Sequence, residues 1–348
     1  MTNHPDLPIL RRALAALSLC LLPLSAHAGC SGNNLLAALP PAEAAALAAV
    51  TSAQPYATGN YWSARKDGRE VHLLGTYHLT DPRHDALLAA VEPALKHAGQ
   101  LLVEAGPEEE RALKRDIATN PGLLFLTEGP SLMEQFGEEG WPELARALAA
   151  RNIPAFMGAK MQPWYLATIL AIPPCNMTGM TAGQGLDHRV MARAEEIGLP
   201  IRSLEPHDTV FRLFDRLGAE DQLSMLRSTL LMEPQIADYA ATLADAYFAE
   251  DSRRMWEYLR ITSRRAPGYT PERADTEFSR MEEELMSARN RAWIPVIEAA
   301  AADGPVFAAF GALHLAGEAG VLALLEAAGW QVERLSLRGA DSQLPGVP

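Results

Sequence analysis
Val71-His72-Leu73-Leu74-Gly75-Thr76-Tyr77-His78-Leu79-Thr80 and Val306-Phe307-Ala308-Ala309-Phe310-Gly311-Ala312-Leu313-His314-Leu315 are the same sentence written twice. Each is an apolar, β-favouring run that ends in glycine, followed by a histidine three residues on, a leucine and a helical pattern. The first run is preceded by Tyr61-Trp62-Ser63-Ala64 and Lys66-Asp67-Gly68, an Asp-Gly hairpin signal. It is followed by Thr80-Asp81-Pro82, which predicts a helix start with capping side chains before proline. Leu87, Leu88, Val91 and Leu95 give that helix its apolar face, Gly99 ends it, and Leu101-Leu102-Val103-Glu104 is a short buried strand ending in a carboxylate. Residues 70–104 therefore read β-α-β, which requires a parallel crossover. The second run repeats the unit: Val321, Leu324 and Leu325 face inward, Gly329 stops the helix, and Gln331-Val332-Glu333-Arg334-Leu335 is the closing strand.

Between the two units the pattern is mostly helical. Residues 33–52 read as a helix with Pro40-Pro41 opening its second part, Ile153–Met157 as a short strand, and Pro200–Glu205 as a strand carrying a carboxylate at its end. Thr209 to about Ala300 is helical, interrupted at Ala266-Pro267-Gly268. The predicted fold is α/β: a central mixed or parallel sheet built from two β-α-β halves, each with a G-x-x-H turn, and a large helical insertion at about 209–285. No interdomain linker appears, so 29–348 reads as one domain.

The N-terminal segment is of another kind. Arg11-Arg12 precedes an apolar run to Leu24, and Ala26-His27-Ala28 is a small-x-small cleavage site. Residues 1–28 are read as a secretory signal peptide, too short in its apolar core to span a membrane comfortably. A lipoprotein alternative at Cys30 is poorly served by His27. The chain is expected to be periplasmic or secreted after cleavage near Ala28, with no stable membrane span. Two cysteines then remain, Cys30 and Cys175, and an oxidising compartment favours a disulfide between them. The formal charge of −13 becomes −14 without residues 1–28, which carry Arg11 and Arg12 against Asp6. Such acidity argues against nucleic acid as a partner.

Ligands of open α/β sheets sit at the carboxyl ends of the strands. His78 and His314 are expected to point into one crevice there, with Gly75 and Gly311 letting the backbone turn. Glu104 and Glu205 end two further strands at the same edge. Two histidines with one or two glutamates suit a divalent first-row ion such as Mn, Co, Fe or Zn with open positions. Its bound water would be acidified to attack a carbonyl. His72 reads as structural, His84 and His97 as exposed on the crossover helix, and His188 and His207 as neighbours of the cleft. A G-x-S-x-G elbow and a phosphate-binding G-x-x-x-x-G-K are absent from the sequence. By helical period alone, Arg289-Asn290 looks like a solvated face.

Leu74-Gly75-Thr76-Tyr77-His78, Glu104, Pro163-Trp164, Gly185-Leu186-Asp187, Leu204-Glu205, Arg289-Asn290 and Gly311-Ala312-Leu313-His314-Leu315-x-Gly317 together resemble the TraB/GumN family. That family is related to the Tiki metalloproteases and, more distantly, to erythromycin-esterase-like and ChaN-like proteins. The opening Cys30-Ser31-Gly32-Asn33-Asn34-Leu35-Leu36 also looks like its secreted bacterial members. The resemblance implies metal-dependent cleavage of peptide or amide bonds, with His78 and His314 as ligands and Glu104 as ligand or general base. It brings Arg289 and Asn290 into the site as transition-state stabilisers, and leaves Glu205 as a supporting or alternative ligand. It implies a peptide or small-molecule substrate. Unlike the Tiki type, this chain is expected to lack a membrane anchor. The rival expectation is a non-catalytic periplasmic binding or accessory protein that holds haem, a peptide signal or an oligosaccharide in the same crevice.

Overall fold
The computed structural model describes residues 31–177, 185–265 and 270–337. The expected signal segment, most of the Asn176–Gly185 loop and the Ala266-Pro267-Gly268 interruption lie outside them. So does Cys30, and with it the expected Cys30–Cys175 bridge. Among the described residues no helix is long and apolar enough to cross a membrane.

The hairpin forms where Asp-Gly places it. Strand β1 (Tyr61–Lys66) pairs antiparallel with β2 (Arg69–Thr76). Asp67 and Gly68 take φ of 51° and 77°, the left-handed pair that a two-residue turn matching strand twist needs. With β3 (Gln100–Val103), β4 (Ile201–Ser203), β5 (Val306–Gly311) and β6 (Gln331–Arg334), they form one mixed sheet in the order β4-β3-β5-β2-β1-β6. Strands β4, β3, β5 and β2 are mutually parallel, and β1 runs against both β2 and β6. Strand β3 therefore follows β2 in sequence but not in the sheet. Strand β5, which comes much later in the chain, inserts between them and is buried along its whole length. The two G-x-x-H elements thus end as neighbours, with Thr76 opposite Gly311.

Alternation along the strands gives the sheet two apolar faces. Val71, Leu73, Ala308 and Phe310 pack against Trp293 and Ile297 of one helix, α12 (Ala288–Ala302), and Val321 and Leu325 of another, α13 (Val321–Ala327). Leu74, Leu101, Val103, Phe307 and Ala309 pack against Val91 and Leu95 of α2 (His84–His97) and Val190 and Ala194 of α7 (Leu186–Glu196).

Several local expectations need correction. Helix α1 covers only Pro41–Ser52. The residues before it are tied elsewhere: the backbone N–H of Asn33 and the side chain of Asn34 donate to Asp238 and Asp245. Asp81 does not cap α2. Its carboxylate accepts from the Arg83 N–H at 2.9 Å, in a turn that precedes the helix. Ile153–Met157 is no strand. Pro154 leads into the four-residue helix α5 (Ala155–Gly158), and Phe156 lies 77% exposed. His84 is not exposed but fully buried, its ring against Tyr77 and Phe248.

The remaining helices are α3 (Pro107–Thr119), α4 (Leu132–Ala150), α6 (Pro163–Leu170), and between β4 and β5 the run α8 (Thr209–Met232), α9 (Ile236–Phe248), α10 (Ser252–Ser263) and α11 (Pro271–Glu282). A π-helical segment, Glu283–Ser287, joins α11 to α12. Such segments re-register a helix and recur at functional sites. Here the segment comes just before Arg289 and Asn290.

Candidate functional site
Four strands deliver their next residues to one edge. His78 follows β2, Glu104 follows β3, Glu205 follows β4 and His314 sits in the 3₁₀ turn after β5. The glycines serve this convergence differently from expectation. Neither Gly75 nor Gly311 has a positive φ, and Gly311 is extended at φ −50°, ψ 133°. What each provides is room. A Cβ on Gly75 would stand 2.8 Å from the Ala312 backbone. A Cβ on Gly311 would stand 3.1 Å from His78 Nε2, 3.3 Å from Glu104 Oε1 and 3.6 Å from His314 Cδ2. The two imidazoles and one carboxylate thus face a single small space over Gly311.

His314 is buried and fully oriented. Asn290 Nδ2 donates to the Ala319 carbonyl at 2.8 Å, which leaves its Oδ1 as the acceptor 2.6 Å from His314 Nδ1. The proton of a neutral His314 ring therefore sits on Nδ1, and the Nε2 lone pair faces the site. Trp293 packs against the ring at a centroid distance of 4.4 Å. Burial lowers the His314 pKa to about 3, with Arg289 and His78 adding to the effect against the pull of Glu104. His78 is held more loosely. Its side chain is 60% exposed, in an open cleft, and its Nδ1 lies 3.4 Å from Asp187 Oδ1. Burial by the cleft walls opposes its charge, but Asp187 first and then Glu104 outweigh this and raise its pKa to about 9.

Arg289 occupies the centre. It donates to Glu205 through Nε at 2.8 Å and Nη2 at 2.6 Å, and to Glu104 through Nη2 at 2.6 Å. Its Nη1 bonds the Leu285 carbonyl in the π segment and lies 3.3 Å from His314 Nε2. Glu205 also accepts from Trp293 Nε1 at 3.1 Å, so its role here is to anchor the guanidinium. Glu104 Oε1 accepts the Gly311 N–H at 2.7 Å. Burial works against its charge, but His314, Arg289 and His78 together with that N–H lower its pKa to about 2.

The donors suit a divalent ion in type and in how they are held. Each ring is approached by an acceptor on its Nδ1 side and turns Nε2 inward, the arrangement by which metal-ligating histidines are usually oriented. Among the described residues, no three His, Cys, Asp or Glu side chains are already gathered around one ion. The positive charge at the centre is the Arg289 guanidinium.

All six residues expected at the site are therefore together: His78, Glu104, Glu205, Arg289, Asn290 and His314. His188 lies one step out, against Asp187 and Glu110. His207 pairs instead with Asp116 of α3, at 2.8 Å. His72 is structural, accepting or donating to the Tyr61 hydroxyl at 2.8 Å. Two contributors escaped residue-by-residue reading, Asp187 and Trp293. Asp187 reads as an ordinary acid in the first turn of a helix, and Trp293 as core.

A family model described as the TraB/PrgY/gumN family matches residues 60–334. That span starts just before β1 and ends with β6, so it contains the whole sheet and every site residue. The chain is also similar to an uncharacterised protein, YbaP, of Escherichia coli (strain K12), at 25% identity over 255 residues, 72% of this chain and 85% of that protein. YbaP of Shigella flexneri, likewise uncharacterised, matches to the same extent. With the paired histidine turns on adjacent strands and the match running through all six strands, the chain belongs to the TraB/PrgY/gumN family.

Proposed function
We propose that this protein is an exported, metal-dependent hydrolase that cleaves peptide or amide bonds in the periplasm or outside the cell. The observation that carries the reading is the space over Gly311, where His78 Nε2, Glu104 Oε1 and the His314 ring converge within 3.6 Å of one point. His78, His314 and Glu104 would hold the ion, with Glu205 as a supporting or alternative ligand. When bound, a divalent ion (Mn, Co, Fe or Zn) supplies an acidified water and polarises an amide carbonyl.

The chain's own groups have separable tasks. Glu104 is ionised at neutral pH, given a pKa of about 2, as a metal-holding carboxylate must be. Arg289, anchored by Glu205, holds its guanidinium charge at the cleft floor, where negative charge would develop on the substrate oxygen. Asn290 keeps the His314 lone pair directed inward. The open side of the cleft at His78 is where an extended substrate can enter.

Metal analysis of the purified mature protein tests the reading. Wild type should hold a divalent ion that His78→Ala and His314→Ala lose, and the loaded protein should cleave members of a peptide library. A wild type that takes up no Mn, Co, Fe or Zn, or variants that keep their full metal content, would refute it.

A further inference from the structure
We propose that Asp187 is the positioning residue of His78 and that His188 holds Asp187 in place. This deepens the metal-site reading and rests on it. The argument begins with an imbalance. His314 is 5% exposed and bonded at 2.6 Å to Asn290, whereas the His78 side chain is 60% exposed. Something else must turn its Nε2 toward Glu104.

Asp187 is built to do so. Its Oδ1 is buried with no hydrogen-bond partner among the described residues, yet faces His78 Nδ1 at 3.4 Å. A buried acceptor left unpaired costs on the order of 1–3 kcal/mol, and such groups persist where a function uses them. The other oxygen, Oδ2, lies 3.0 Å from His188 Nδ1, again at ion-pair distance without hydrogen-bond alignment. His188 Nε2 in turn meets Glu110 Oε1 at 3.3 Å. The carboxylate stands between two imidazoles, poised over both.

The backbone keeps it there. The Leu186 N–H donates to the Tyr77 carbonyl at 2.9 Å. A Cβ on Gly185 would lie 2.3 Å from the His78 carbonyl oxygen. The start of α7 is thus pressed against the first G-x-x-H turn, and only glycine allows the approach. Once His78 Nε2 engages a cation, a small ring rotation closes the Nδ1–H onto Oδ1 and pairs the buried oxygen. Carboxylates behind metal-bound histidines act this way, and losing one lowers metal affinity about 10–100-fold.

Two measurements test this on the full mature chain. Titration calorimetry with Mn²⁺ or Zn²⁺ alone should show Asp187→Ala binding about 10–100-fold more weakly than wild type. Asp187→Asn, which keeps an acceptor, should recover part of the loss, with unfolding midpoints unchanged. Ring ¹⁵N shifts of metal-free protein, at a pH where His78 is neutral, should place its proton on Nδ1 in wild type and move it to Nε2 in Asp187→Ala. Unchanged affinity and unchanged tautomer in the alanine variant overturn the proposal. If Asp187→Ala does not fold, Asp187→Leu, which also removes both acceptor oxygens but refills the buried space, decides the question by the same readouts. A wild type that binds no ion defeats the metal reading alone, because the ring shifts still report whether Asp187 positions His78.

Discussion
Replacing Arg289 by methionine removes the cation that Glu104 and Glu205 share while keeping most of the side-chain stem. The three side chains are 15%, 22% and 10% exposed, so their charges are largely but not fully withdrawn from water. Breaking one side of a buried pair costs about 3–5 kcal/mol, because the partner's charge is left uncompensated. Residual solvent access lowers this, and about 2–4 kcal/mol of lost stability is expected in metal-free buffer. The same change opens a seat for a cation between two carboxylates and beside a histidine lone pair. Divalent ion should therefore stabilise the variant more than wild type; an ion at 100 times its dissociation constant contributes about 2.7 kcal/mol. Urea unfolding in EDTA and in Mn²⁺ measures both effects. Adding Glu205→Gln to Arg289→Met should restore part of the EDTA stability by removing one of the stranded charges. The reasoning fails if Arg289→Met is as stable as wild type in EDTA, or if its deficit is untouched by Mn, Co, Fe and Zn alike.

The two glycines of the repeated turns should separate structure from function. Gly311→Ala puts a methyl among the donors and should abolish ion binding, as read by calorimetry, while costing about 1–3 kcal/mol in stability. Gly75→Ala meets backbone at 2.8 Å and should destabilise at least as much, read by urea midpoint. Asn290→Leu leaves His314 Nδ1 and the Ala319 carbonyl without their side-chain partner; about 1–3 kcal/mol of stability should be lost, and ion affinity should fall about 10–100-fold. Glu104 has its pKa lowered from 4.5 to about 2 in the folded chain, so its contribution is complete above pH 4.5 and lost as pH falls toward 2. Urea midpoints of metal-free protein should show that acid loss in wild type and a flatter profile in Glu104→Gln. Arg151→Met, far from the cleft in sequence and chemistry, strips a buried guanidinium from Glu233 and from the carbonyls of Leu170 and Ile172. It should cost about 3–5 kcal/mol by urea unfolding and leave ion affinity unchanged.

What could be read in advance was whatever lies close together along the chain. A strand, a glycine and a histidine fit within ten residues, so both histidines and their shared edge were legible, as were Glu104 and Glu205 at strand ends. The insertion of β5 between β2 and β3 was not, because strand order is decided by which apolar faces pair across long separations. His84 shows the same limit: a polar residue near a helix start reads as solvated until Phe248, brought from a distant helix, covers it. Arg289 is the sharpest case. Its helix face reads as ordinary solvent-exposed charge because its partners come from two strands distant in sequence and its direction depends on a π segment that helical period cannot reveal. The resemblance to a family placed it in the site, but only the geometry says what it does there. It neutralises two carboxylates that would otherwise repel each other under the histidine pair. A site assembled this way can fold without an ion and still be shaped for one, which is why the guanidinium and the ion should be studied as competitors for the same charge.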